Sequence, residues 1–292
     1  MRAIPANDLS PFGRHSPQGA LRQLLRFTQH AGSHWLGERA ALFVRRIGMR
    51  RLRARPVDVT VETVKARMRL YPFNNASEKR LLFTPQLSDR EERRFLAERI
   101  APDMTFIDIG GGCGAGSLFV ALRAGPRARV LAIEPQPLLF ERLVYNLRQN
   151  PPATVKALDC AVADIDGPVT LFYHAYDLAE TSMRIVNAEH GGVSFRAPAK
   201  SLATLAREEG LKRIDVMKLD IEGAEDLALE PFLTNEPESL WPRALILAYS
   251  PAKWEVDLLG LLESRGYVPV ARTRVYVMYE RAGDERKGGA DG

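Results

Sequence analysis

Asp108 and Glu134, each at the end of an apolar strand, frame the chemistry open to this chain. Asp108 lies in Met104-Thr-Phe-Ile-Asp-Ile-Gly-Gly-Gly-Cys-Gly-Ala-Gly116, where a strand runs into glycines and then into a helix from Ala115 onward. Gly110, Gly112 and Gly114 carry no Cβ, so main-chain N–H groups in the turn lie open to a ligand. Their spacing fits the relaxed dinucleotide fingerprint G-x-G-x-x-G/A. A carboxylate at Asp108 repels a pyrophosphate at short range but suits a cofactor with an ammonium group. S-adenosylmethionine has that ammonium and a sulfonium. The next strand, Arg129 to Glu134, ends in a carboxylate able to accept hydrogen bonds from both ribose hydroxyls.

A second motif, Ile214-Asp-Val-Met-Lys-Leu-Asp-Ile-Glu-Gly-Ala-Glu225, sends a buried strand into a turn. Ligands of open α/β sheets sit beyond the carboxyl ends of the strands, so Asp220 and Glu222 should share a cleft with Asp108. Lys218 can neutralise its neighbours there, and Glu225 suits the first turn of a helix. The carboxylates there give either a general base or a site for cationic groups. The candidates are Asp220, Glu222, His174 and His190, the histidines falling in a polar stretch from Tyr173 to Lys200 that shows no helix or strand pattern. A long loop at a cleft rim suits an acceptor lid. No metal site is expected: Cys113 and Cys160 are far apart and lack C-x-x-C spacing, and Cys113 reads as a small residue filling the glycine turn.

Alternating strands and helices must position these groups, and they predict an α/β, doubly wound, mostly parallel sheet. At its end Tyr267–Val270 and Arg274–Tyr279 are joined by a short turn, which forces an antiparallel C-terminal strand pair. With 292 residues, 46% of them hydrophobic, the chain can bury a sizeable core. It lacks any run of about 18 apolar residues and any continuous signal-peptide h-region, so a cytoplasmic location is expected. Charge is uneven: residues 1–56 hold eleven arginines against Asp8 and Glu38, a net +9, while the whole chain has +5. Leucines at helical spacing make this segment two amphipathic helices broken near Gly32. It reads either as a helical cap or, over residues 14–55, as a basic surface for an anionic membrane at its inner face. Nucleic acid is not expected as a partner, since no aromatic-interleaved pattern accompanies the arginines. The division expected is 1–56 basic helical extension, 57–100 β-hairpin and a helix capped by Ser88 with Glu91, 101–280 cofactor-binding domain, and 281–292 disordered tail.

The motifs resemble, in order and at similar spacing over roughly residues 100–250, those of the FkbM family of S-adenosylmethionine-dependent methyltransferases. D-I-G-A-N-x-G reads here as Asp108-Ile-Gly-Gly-Gly-Cys-Gly114, E-P as Glu134-Pro135, A-x-x-D as Ala161-Val-Ala-Asp164, and K-x-D-x-E-G-x-E as Lys218-Leu-Asp-Ile-Glu-Gly-Ala-Glu225. The resemblance implies a Rossmann-like, class I methyltransferase fold and O-methylation of a small-molecule or glycan acceptor. It also implies Asp108, Gly110, Gly112 and Gly114 around the methionine part of the cofactor and Glu134 with Pro135 at the ribose. Asp159, Cys160 and Ala161 would lie near the adenine, and Asp220 and Glu222 near the sulfonium. Gly111-Gly112 stands where the family has Ala-Asn, and Ala203 and Ala248 where it has acids. Two other readings stay open: a non-catalytic S-adenosylmethionine-binding protein and an NAD-dependent oxidoreductase.

Overall fold

The computed structural model describes residues 6–30, 35–52, 54–151, 153–174, 177–183 and 192–283. The basic segment forms α1 (Gly19–His30) and α2 (Trp35–Leu52), as its 3.6-residue apolar spacing predicts. Leu25 and Leu52 enter the main core, and α2 crosses Phe83 so closely that a Cβ on Gly48 would stand 2.5 Å from its ring. Next come the antiparallel strands β1 (Val57–Val61) and β2 (Ala66–Leu70). Two short helices follow, α3 (Ala76–Phe83) and α4 (Arg90–Ala97). The side chain of Asn75 caps α3 by accepting from the Glu78 N–H. The capping box expected at Ser88 and Glu91 does not form. Asp89 takes the cap position with a left-handed backbone, and Ser88 donates to its carboxylate at 2.8 Å.

The glycine turn joins β3 (Thr105–Ile109) to α5 (Ala115–Ala124); β4 (Arg129–Ile133), α6 (Pro137–Arg148) and β5 (Val155–Leu158) continue the alternation. Strands β6 (Ala161–Val162), β7 (Gly167–His174), β8 (Asp177–Ser182) and β9 (Gly192–Lys200) form a separate sheet ordered β6-β9-β7-β8. Residues 173–200, expected as a patternless loop, therefore contribute two strands. Val193, Phe195, Ala197 and Ala199 alternate along β9 with exposed polar residues and Pro198, a weak period-2 signal that pairing with β7 fixes.

The chain then returns to the main sheet through α7 (Leu202–Glu208), β10 (Val216–Leu219), α8 (Glu225–Asn235) and β11 (Ala244–Ala248). Beyond β11 come a 3₁₀ turn at Pro251–Lys253 and then α9 (Leu258–Ser264), whose start Asp257 caps by accepting from the Gly260 N–H. Strands β12 (Tyr267–Arg272) and β13 (Tyr276–Arg281) finish the seven-stranded order β12-β13-β11-β10-β3-β4-β5, with β13 alone reversed. One face of this sheet, with Phe106, Val130, Val216, Ile246 and Met278, packs on α4, α5 and the N-terminal elements. The other, with Ile107, Leu131, Met217, Leu245 and Val277, packs on α7, α8 and α9. The fold is thus a doubly wound α/β sheet with an antiparallel terminal pair. Among the described residues no helix is long and apolar enough to cross a membrane. Of the tail 281–292, expected to be disordered, Arg281 ends β13, residues 282 and 283 form a turn, and 284–292 lie outside the described residues.

Candidate active site

Strands β3 and β10 lie side by side at the point where the strand order reverses, with Asp108 and Lys218 as Cα partners on the same sheet face. Asp108 is only 1% exposed. Its Oδ2 accepts from Ser117 Oγ at 2.7 Å, while Oδ1 is buried with no hydrogen-bond partner among the described residues. Gly110, at φ +79°, sits so tightly that a Cβ would stand 2.1 Å from the Asp220 carbonyl oxygen. Gly112 points its N–H at Glu134 Oε2 (2.9 Å), and Gln136 N–H reaches Oε1 (2.9 Å). Burial pushes the Glu134 carboxyl up to about 7 against the pull of these two N–H groups.

On the other side of the turn Lys218 stands 3.3 Å from Glu92 and 3.7 Å from Asp220, with its ammonium 5.3 Å from the Tyr276 ring centre. The Tyr276 hydroxyl donates to Asp220 Oδ2 at 2.6 Å. Burial works against the Lys218 ammonium, yet Glu92, Tyr276 and Asp220 hold its pKa well above the ordinary value. Burial, aided by Asp220, likewise keeps Tyr276 a neutral phenol. Glu222 adopts a left-handed φ of +56°, uncommon for a residue with a side chain, and its carbonyl accepts from Lys253 Nζ at 3.1 Å. Glu225 holds this turn in shape. Its carboxylate accepts from the N–H groups of Ile221 and Gly223 and from Trp254 Nε1.

One cavity is lined by Glu92, Asp108, Gly110, Glu134, Asp220 and Glu222. An apolar slot lined by Ile133, Pro135, Cys160, Ala161 and Ile221 adjoins it through shared Gly110 and Pro135. Two of the expected site residues stand apart from these spaces. Gly114 lines neither space: it caps α5 and lies where a Cβ would meet Leu143 Cδ1 at 2.7 Å, so it lets α6 close on the turn. Asp159 is exposed and lines neither space, because the chain leaves β5 at Leu158 and buries Cys160 instead. His190 lies outside the described residues. Of His174 only the backbone is described, as the end of β7 opposite Gly192. The segment once expected as a lid reaches both spaces through Thr181. Burial raises the Cys113 thiol far above its usual range, consistent with a residue that fills the turn. Glu92 and Tyr276 are absent from the sequence reading. Glu92 had a signal: with Phe95 and Leu96 it forms the buried face of α4, where helical spacing calls for an apolar side chain.

Residues 108–269 match the methyltransferase FkbM domain. The chain belongs to the FkbM methyltransferase family. Among its relatives, methyltransferase sdnD of Sordaria araneosa is 29% identical over 189 residues, 55% of this chain and 72% of that protein. Methyltransferase 1 of Beauveria bassiana is 28% identical over 142 residues, 42% of this chain and 57% of that protein. Fibrillarin of Aeropyrum pernix, solved with natively bound S-adenosyl-L-methionine, is 10% identical, covers 65% of this chain and 73% of its own, and has a TM-score of 0.38. As an FkbM methyltransferase the protein uses S-adenosylmethionine, and the site's chemistry agrees. Asp108 Oδ1, without a hydrogen-bond partner among the described residues, calls for a cationic N–H partner, whereas the N–H groups of Gly110 and Gly111 are already taken by the Ile133 carbonyl. Both Glu92 and Tyr276 fall outside the matched segment.

Proposed function

We propose that this methyltransferase methylates a hydroxyl on a glycan, a lipid-linked sugar or a secondary metabolite. The observation that carries this reading is a cavity in which carboxylates able to take a proton, Glu92 and Asp220 among them, adjoin the cofactor turn. Asp108 would receive the methionyl ammonium, with Gly110 and Gly112 against the methionine part. Glu134 and Pro135 would hold the ribose, and Cys160 and Ala161 would wall the adenine slot. Asp220 and Glu222 would stand at the methyl-transfer end. The cofactor supplies a methyl carbon activated by its sulfonium; the protein's residues supply alignment. Measuring S-adenosylhomocysteine release with a panel of hydroxylated and amino acceptors tests the reading. Turnover confined to amines would overturn the hydroxyl assignment, and binding of cofactor without any turnover would favour a non-catalytic binder.

A peripheral contact with anionic membrane is supported by the outer faces of α1 and α2. Phe27, Leu42 and Phe43 are exposed, Phe43 to 66%, among the exposed Arg22, Arg26, Arg46 and Arg50. The α1 helix holds no acid, and the Arg45 guanidinium, partly buried, is further depressed by the neighbouring charges of Arg80 and Arg46. Apolar side chains interleaved with uncompensated cations suit a lipid interface better than a phosphate backbone.

A further inference from the structure

Glu92 is the buried acid that the cofactor turn does not use. It comes from α4, on the wall of the cavity that lies outside the matched FkbM segment, and is 4% exposed. Its two oxygens differ: Oε1 faces the Lys218 ammonium at 3.3 Å, and Oε2 is buried with no hydrogen-bond partner among the described residues. The same cavity takes in Asp108, Gly110 and Asp220, so Glu92 borders the space beside the cofactor turn. Asp220 already has an oxygen engaged, since its Oδ2 accepts from Tyr276 and faces Lys218. Lys218 and Tyr276 stay protonated and so cannot serve.

We propose that Glu92 is the proton acceptor of the methyl transfer, its Oε2 taking the hydroxyl hydrogen of the acceptor; the proposal rests on the hydroxyl reading above. The acceptor oxygen bonds the methyl carbon, the carbon–sulfur bond breaks, and its electron pair stays on sulfur. The proton passes to Glu92, so the lost sulfonium charge and the lost carboxylate charge cancel. It then leaves to solvent. Charge around Glu92 is arranged for both end states. Burial pushes its carboxyl up to about 7, Lys218 pulls it down, and Asp89, Asp220 and Asp108 push it up. Arg93, on the same helix, and the neutral Tyr276 complete its charged and titratable surroundings. A sulfonium brought into this cavity favours the ionised carboxylate; its neutral thioether product favours the acid.

That coupling is measurable without knowing the acceptor. Calorimetry of the full chain at pH 6.5, run in buffers of different ionisation enthalpy, counts protons exchanged when S-adenosylmethionine or S-adenosylhomocysteine binds. The wild type should release more proton with the sulfonium form, and Glu92→Gln should lose the difference while still binding both. Contacts to ribose and adenine are common to the two ligands and cancel. A coupling of one pKa unit would also shift the ratio of the two affinities in the variant, by about tenfold when measured well above pH 7. Infrared difference spectra of the wild type alone give a check that does not depend on the variant folding, with a protonated-carboxyl band in the thioether complex that is weaker in the sulfonium complex. Equal proton counts in the wild type, a difference that persists in Glu92→Gln, or no carboxyl band would overturn the assignment. Failure of the hydroxyl reading alone would show as amine-only turnover with the proton difference intact.

Discussion

At Gly110 a β-carbon would stand 2.1 Å from the Asp220 carbonyl, so Gly110→Ala has to part the two strand ends that frame the cavity. Its affinity for S-adenosylmethionine should fall at least tenfold, roughly the 1.4 kcal/mol that such a displacement of binding groups costs or more. Gly112 differs: it is left-handed with open space around its missing Cβ, and asparagine tolerates that conformation. Gly112→Asn should therefore melt within about 1 kcal/mol of the wild type. Calorimetry and thermal melts of the pair would expose an error if Gly110→Ala bound normally. Glu134→Ala should weaken both forms of the cofactor by about 1.5 to 3 kcal/mol through loss of a charged acceptor. The raised pKa values of Glu92 and Glu134, each about 7, give binding and folding opposite pH trends. Ionisation favours the cationic cofactor, so affinity should climb as pH rises through about 7. A carboxyl whose folded pKa exceeds its unfolded value gives stability that is full below about 4.5 and lost by about 7, so the free protein's melting temperature should fall over that span. A flat affinity profile from pH 6 to 8 would contradict this. The turn residues were legible because a strand ending in Asp-Ile-Gly leaves few other uses. Tyr276 and Glu92 were not, because only strand register and the docking of α4 bring residues 92, 218 and 276 together.

Among the elements, α3 and α6 are joined by a buried ion pair, Arg142 to Glu78 at 2.6 Å, and Glu78 also accepts from the Tyr71 N–H. Removing one partner strands the other charge in the interior, so Arg142→Met should cost about 3 to 5 kcal/mol in denaturant unfolding. The double variant Arg142→Met with Glu78→Gln should lose clearly less than the sum of the two single losses; a double loss equal to that sum would show that the pair is not coupled. Elements with strong periods, such as β3, β4 and α6, were readable in advance. Those whose formation depends on pairing or capping, such as α3, β8, β9 and the divided segment before α9, were not. Their apolar signals are short, and a neighbouring strand or an Asp257 cap decides between alternatives that local propensity leaves nearly equal.

For the molecule as a whole, the exposed Phe27, Leu42 and Phe43 among arginines predict binding to phosphatidylserine-containing vesicles that weakens with salt. In the full chain, Phe43→Ser with Arg46→Glu should reduce co-sedimentation while leaving cofactor affinity unchanged. Equal sedimentation with neutral phosphatidylcholine vesicles, or retention by RNA in preference to lipid, would contradict the lipid surface. The doubly wound class of the main sheet was legible from the alternation of elements, whereas the way the N-terminal segment folds over one sheet face was not, since nothing in its sequence names the surface it covers. That covering has an evolutionary corollary. The matched segment carries the donor's cradle, while Val64, Leu81, Asp89 and Glu92 on the opposite wall come from residues that precede it. On the roles proposed above, donor use and acceptor choice would be written in separate stretches of one gene. A lineage can recast residues 57–97 to greet a new acceptor without disturbing the grip on the donor, and a chimera exchanging that stretch with a relative's should inherit the relative's acceptor preference while keeping its own affinity for S-adenosylmethionine.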